Sequence, residues 1–467
     1  MAASGIRGTF IDFTDDPWRH VGAEQEATRF HLDGLLVTED GVIVDFGSHD
    51  EVAPRHPGLS VTEIPDRLLL PGFIDGHIHV AQTRVLGAYG EQLLPWLQKW
   101  VFPEEHRYSD PDYARAGTTR FFDNLLASGT TTCQAFTTAD PGFTRIVFEE
   151  AARRNMRIIT GVTAIDQHAP EWFTGTPEEF YAAATELIAE FHGVGRALYA
   201  ITPRFAYGAS AELLETCGRL RAEHPEVWVH THISENPSEV HGVLALHEDC
   251  TDYLGVYEKY GLVGPRFTGG HGVWLSDDEL TRMSRAGAAV TFCPCSNLYL
   301  GSGLFRLGAV TDPDRRVLTS FGTDMGGGNR FSMLNVLEDA YKVGMLNNTL
   351  LDGSVDPSKQ NLAEAERNKL SPYRAFYAIT RGSAEALYID DKVGSFDVGR
   401  EADLVALDWR GGPPATAWHA SLSVGDAAPQ TLEQAAELLF SIMMVGDERA
   451  VAETWVAGER AYHRDAR

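Results

Sequence analysis

A chain of 467 residues, 43% hydrophobic and 10% aromatic, can bury a large core, and its length suits one big domain with a smaller one. Its 39 Lys and Arg against 66 Asp and Glu give a formal charge of −27, which repels phosphate backbones and excludes nucleic acid as the main partner; a small neutral or cationic molecule fits better. Five cysteines without disulfide-framework spacing, and no signal-peptide pattern or long apolar span, lead us to expect a cytoplasmic protein with no membrane partner.

In chain order, the first strand signals are "GTFIDF" and "FHLDGLLVTEDGVIVDFGS", where Glu39-Asp40-Gly41 sits between two β-branched runs as a hairpin turn. Residues 1–67 are expected to form the N-terminal part of a small β-domain. From 68 to 387, apolar runs alternate with amphipathic helical stretches, the α/β signature. Eight strand candidates follow one another: "LLLPGFIDGHIH", "TTTCQAF", "RIITGVTAI", "LYAITPRF", "VWVHTHISE", "FTGGHG", "AAVTFCPCSN" and "VLTSFGTD". Eight such units predict a closed parallel (β/α)8 barrel of the TIM type, in which catalytic groups collect at the C-terminal strand ends. One connection is unusual. "VAQTRVLGAYGEQLLPWLQKWVFPEEHRY", after the first strand, is long and aromatic, and is expected to form a lid or pocket wall in preference to a peripheral insertion. Ser276 to Glu279 is a capping box opening a helix that Gly287 closes. The polar stretch "LDGSVDPSKQNLAEAERNK" is expected to be a solvated loop and helix. Residues 388–467 hold two more strand signals, "ADLVALDW" and "AVAETWVAGERAYH", which predict the C-terminal part of the small domain, a β-sandwich built from both termini.

Side chains at i and i+2 of a strand share a face, so His77 and His79 in "GHIH" both point into the barrel. That pair alone is equally consistent with hydrogen-bonded core histidines. His232, His271 and Asp324 end the fifth, sixth and eighth strands, however, and all would meet at one mouth. Neutral imidazoles with a carboxylate suit Zn²⁺, or less often Fe²⁺, with a position left for water. Whether His271 binds the metal or its water stays open. Glu235, three residues after His232, reaches the same mouth as a proton shuttle for a metal-activated water; its alternative role is to satisfy free N–H groups at a helix start.

The motifs "PGFIDGHIHVAQ", "FPEEHR", "ITPRF", "HISEN", "FCPCSNLYLGSG" and "GTDMGGGNRFSML" resemble, in order, those of the guanine deaminases, a branch of the amidohydrolase superfamily. The resemblance implies that His77, His79, His232 and Asp324 hold one metal ion per subunit. It implies catalytic roles for Glu235, Asp324 and His271, and a base pocket shaped by Gln82, Arg204 and Phe205 beside His232 and Glu235. Guanine presents O6 and N7 acceptors, which an arginine or a glutamine amide can meet, and a ring face on which an aromatic can stack. The expected reaction is hydrolysis of guanine, a purine base, to xanthine and ammonia, and the expected assembly is a homodimer. A related aminated ring, such as 8-oxoguanine, a pterin or a triazine, is the alternative substrate, and a non-catalytic barrel scaffold is the alternative from another class. Two departures stand out. Cys295 occupies "CPCSN" where "CPNSN" is common, and is expected to be a buried thiol; His230 in "VHTH" is expected to hydrogen-bond in a deeper barrel layer and not to ligate.

Overall fold

The computed structural model describes residues 3–350, 361–425 and 427–466. Its strands, in chain order, begin with β1 (Ser4–Phe13), β2 (Thr28–Glu39), β3 (Val42–Ser48) and β4 (Ser60–Pro71). Next come β5 (Phe73–His79), β6 (Thr130–Phe136), β7 (Arg157–Gly161), β8 (Thr163–Ala164), β9 (Ala197–Pro203), β10 (Trp228–Ile233), β11 (Phe267–His271), β12 (Ala289–Phe292) and β13 (Leu318–Phe321). The last three are β14 (Leu404–Leu407), β15 (Val451–Val456) and β16 (Glu459–His463).

The termini meet in one seven-stranded sheet of order β16-β15-β14-β4-β1-β2-β3. Its β2–β3 hairpin turns through Asp40 (φ 50°) and Gly41 (φ 82°), the left-handed pair that a two-residue turn requires. The sheet curls until its β2–β3 edge meets the segment leading into β14: Ile43 N–H donates to Arg400 O and Ala402 N–H to Gly41 O. Ile6, Phe10, Leu36, Ile43, Leu69, Phe396, Leu404 and Trp455 fill the space enclosed. Two helices of the C-terminal part, Pro414–Ser423 and Leu432–Val445, leave this sheet and pack on the barrel, burying Ala435, Leu438, Leu439 and Ile442 in the main core. The sequence reading saw only strands there.

The eight remaining parallel strands run β13-β12-β11-β10-β9-β7-β6-β5, with β8 an extension of β7 that pairs with β9. All eight predicted barrel strands are present. The seam between β13 and β5 is closed by side chain as well as backbone: Thr323 donates through N and Oγ1 to Asp75 (3.0 and 2.5 Å), and Asp324 N–H donates to His77 O (2.8 Å). The stretch read as a single first strand, Leu68–His79, is two strands. Leu68–Pro71 pairs with β14 in the small sheet, and the chain crosses to the barrel at Gly72, where any Cβ would meet Thr131 Oγ1 at 2.3 Å. The capping box at Ser276 and the left-handed Gly287 (φ 70°) bound the helix Asp277–Ala286. The polar stretch after Leu350 forms the helix Leu362–Asn368 at its end; its loop part, residues 351–360, lies outside the described residues. No helix among the described residues is long and apolar enough to cross a membrane.

Candidate active site

The parallel register places the chemistry at one mouth. His77 and His79 project from the same face of β5, His232 stands at the end of β10, His271 ends β11, and Asp324 follows β13 by three residues. Ser234, His271 and Asp324 are non-glycine residues with positive φ (49°, 74° and 45°), so backbone strain gathers where the strands turn into the mouth. His232 Nε2 lies 3.2 Å from both His77 Nε2 and His79 Nε2, and Asp324 Oδ1 lies 3.1 Å from His79 Nε2 and 3.6 Å from His77 Nε2. These four form a group whose ligand atoms lie within 4.8 Å of one another. The protonation pattern makes the convergence meaningful. His232 Nδ1–H donates to Arg204 O at 2.6 Å, so its Nε2 carries a bare lone pair; His77 Nδ1 is engaged by His230 Nε2 at 2.9 Å, which leaves Nε2 as the ring's inward-facing atom. The His232 lone pair, the Nε2 atoms of His77 and His79 and the Asp324 carboxylate converge on one point, so the donor set fits a divalent metal.

Electrostatics agree with that reading. Burial, reinforced by neighbouring imidazoles, pushes His77, His230 and His232 well below the usual histidine range, which keeps them neutral, the form that ligates. Burial works against the charge of Asp324, but the hydrogen bond from His79 and the nearby His271 hold its carboxyl below the ordinary range. Glu235, also fully buried, goes the other way: burial lifts it to about 7, with His271 opposing and Asp324 adding to the rise. Two carboxylates at one mouth with opposed affinities for a proton are what a proton-transfer site needs. His271 lies between them. Its Nε2 is 3.5 Å from Glu235 Oε2 and 3.8 Å from Asp324 Oδ2, its Nδ1 is 2.9 Å from Asn297 Oδ1, and burial is outweighed by the two carboxylates so that it is raised. It is therefore placed against the carboxylates and outside the four-residue group. His230 sits one layer deeper, against His77. Cys295 is buried, and Cys293, close to His77 and His271, has its thiol pushed up by burial and stays protonated.

The connection after β5 forms the wall over this mouth. Leu93, Trp96 and Leu97 line a pocket with His79, Gln82, Arg204, Phe205, His232, Glu235 and Asp324, so every residue expected to shape a base pocket borders one cavity. Sequence reasoning missed the residue that ties the wall to the barrel. Glu105, 1% exposed, accepts Arg204 Nη1 (2.7 Å) and Nη2 (3.0 Å) and also Gln82 Nε2 (2.7 Å). Its signal was present: positions 97, 101 and 105 follow at helical spacing, with Leu97 and Val101 buried, so Glu105 is a carboxylate on an apolar stripe. Asn297 and Ser302, which donates to Glu235 Oε1 at 3.2 Å, were not singled out, although both lie in the motif "FCPCSNLYLGSG". A second cavity, of about 430 Å³, lies beyond Glu105 among Ala139, Ile165, Trp172 and Phe173, away from the histidines.

Known proteins match this chain along its whole length. The amidohydrolase family profile matches residues 68–461. Guanine deaminase of Escherichia coli (strain K12) is 39% identical over 98% of both chains. The crystal structure of guanine deaminase from Bradyrhizobium japonicum superposes with a TM-score of 0.97 at 65% identity, covering 99% of this chain and 100% of that one. A guanine deaminase from C. acetobutylicum, crystallised with guanine in its active site, shares the fold with a TM-score of 0.84 at 24% identity, covering 99% of this chain and 100% of that one.

Proposed function

The chain belongs to the amidohydrolase family and, within it, to the guanine deaminases, and from that membership we propose that it hydrolyses guanine to xanthine and ammonia. The observation that carries the proposal is one mouth in which a His77, His79, His232 and Asp324 cluster, a protonatable Glu235 and a pocket bordered by Gln82, Arg204 and Phe205 all meet. The four clustered residues would hold one divalent ion per subunit, zinc or iron(II), whose chemistry when bound is to lower the pKa of water towards neutrality and polarise its target.

The chain's own groups perform the proton transfers. Asp324 Oδ2, turned towards His271 and away from His79, accepts the proton of the attacking water, and the oxygen adds to C2 of guanine. Glu235 delivers its proton to ring N3 as that bond forms, so negative charge never accumulates on the ring. His271, between the two carboxylates, stabilises the charge that Asp324 gives up and Glu235 acquires. The proton on Asp324 then moves to the C2 amine; as the C2–N bond breaks and ammonia leaves, the C2 hydroxyl returns its proton to Glu235 and becomes the carbonyl of xanthine. Phe205 offers the ring a stacking face and Arg204 an N–H edge. The five cysteines are free, which supports a reducing, cytoplasmic setting. Purified protein given guanine should release ammonia, and Glu235→Gln should abolish turnover while metal content stays at the wild-type level; normal turnover in that variant refutes the assignment.

A further inference from the structure

We propose that Glu105 is the positioning residue that sets the donor and acceptor order of the base-reading edge, and so selects a 6-oxo purine over a 6-amino one; the inference rests on the guanine deaminase reading. A carboxamide such as that of Gln82 has two orientations of nearly equal shape, and its environment decides between them. Here Gln82 Nε2 donates to Glu105 Oε1 at 2.7 Å. Rotating the amide would set Gln82 Oε1 against that carboxylate oxygen with no proton between them. The orientation is therefore fixed, and Gln82 Oε1 is left buried with no hydrogen-bond partner among the described residues, on a side chain that lines the pocket. A buried orphan acceptor invites a donor from the ligand.

The same carboxylate takes both terminal nitrogens of Arg204. It fixes the guanidinium plane against Phe102, 5.5 Å from the ring centroid, and neutralises its charge. What the pocket then presents is an acceptor from Gln82 beside remaining N–H donors from Arg204. The N1–H and C6=O of guanine complement that order. A 6-aminopurine presents N1 as acceptor and N6 as donor, the reverse. Pairing with Glu105 also removes the net positive charge that would otherwise favour anionic rings over a neutral base. Gln82 was expected to donate to guanine acceptors; with its Nε2 engaged by Glu105, the amide atom left without a partner is the acceptor Oε1.

The experiment compares guanine with 2,6-diaminopurine, which carries the same C2 amino group and differs at the edge read. In Glu105→Gln, kcat/KM for guanine should fall about 100-fold and the preference for guanine over 2,6-diaminopurine should shrink at least about tenfold, at unchanged metal content. Glu105→Asp keeps Arg204 paired but retracts the carboxylate by one methylene, so it should fold normally and show an intermediate loss of preference. It decides the matter if the Gln variant is insoluble. Equal losses on both rings, leaving their ratio within about twofold, would overturn the inference while leaving the guanine reading intact. Wild-type protein inert towards guanine would overturn both.

Discussion

Gly270 lies on β11 immediately before His271, and a Cβ built there would stand 2.3 Å from Cε1 and 2.5 Å from Nδ1 of the His77 ring. Carbon atoms rest at about 3.5–4.0 Å, so in Gly270→Ala the imidazole must retreat by about 1.2 Å or more. It has nowhere to go: Nδ1 is held by His230 at 2.9 Å, and its backbone carbonyl receives Asp324 N–H at 2.8 Å. Metal ligands tolerate displacements of only about 0.2 Å, so the alanine variant should lose one of the four proposed ligands. Loss of an outer partner alone costs about 10- to 100-fold in metal affinity, and displacing the ligand itself should cost about 100-fold or more, alongside the roughly 1–3 kcal/mol of overpacking. Gly269→Ala is the matched control. Its Cβ falls on the opposite face and clashes with Ile233 Cγ2, at 2.4 Å, with Ile233 Cβ and Phe267 Cε1 at 3.4 and 3.5 Å, so it should lose stability by a similar amount yet keep the metal. Zinc retained per chain after dialysis against a graded chelator, with thermal unfolding on the same samples, separates the two. Wild-type zinc retention in Gly270→Ala would refute the reasoning, because His77 could then not be a ligand confined by that glycine.

Three further outcomes are expected. Asn297→Leu frees the His271 ring from its 2.9 Å hydrogen bond, and kcat should fall about 100-fold with KM little changed and metal content intact; steady-state kinetics on guanine check this. Arg196, 8% exposed, reaches both Glu401 and Asp403 at 2.6 Å and joins the small sheet to the barrel; Arg196→Met leaves the buried Asp403 carboxylate without its arginine, while Glu401 keeps Arg157, and should cost about 3 kcal/mol by urea denaturation. The Asp45 carboxyl is held at about 2 by the Arg55 guanidinium, with burial opposing and His56 assisting. A depressed carboxyl stabilises the fold above its unfolded pKa and loses that contribution as pH falls through the folded one. The stability advantage of wild type over Asp45→Asn should therefore be present above about pH 4 and fall away between about pH 4 and pH 2, as urea midpoints across that range will report.

The parts of the molecule legible in the sequence are those where backbone periodicity alone fixes direction. The alternation in "GHIH" puts His77 and His79 on one face whatever surrounds them, and a strand end can only be a strand end, so His232, His271 and Asp324 could be assigned to one mouth before any contact was known. What stayed hidden depends on where chains cross. Leu68–His79 reads as one apolar run, and nothing local announces that Gly72 must pass within Cβ contact of Thr131 and so divide it between two sheets. The helix Leu432–Val445 follows an apolar pattern that any packed helix shows; that its partners are barrel helices is a tertiary fact.

Glu105 is the instructive intermediate case. Its helical register with Leu97 and Val101 marks it as a buried carboxylate, and a buried carboxylate requires a partner. Spacing cannot name that partner, because Arg204 lies 99 positions away on another strand end. The partnership matters more than either residue. Gln82 and Arg204 each offer a polar edge that many rings could use, and only the shared carboxylate, by consuming one face of each, turns two permissive side chains into a directional reader. On the proposed reading, specificity in this pocket resides in a contact outside the substrate's reach, and the bonded arrangement favours an N–H beside C=O edge, which guanine and a pterin share, over its reverse.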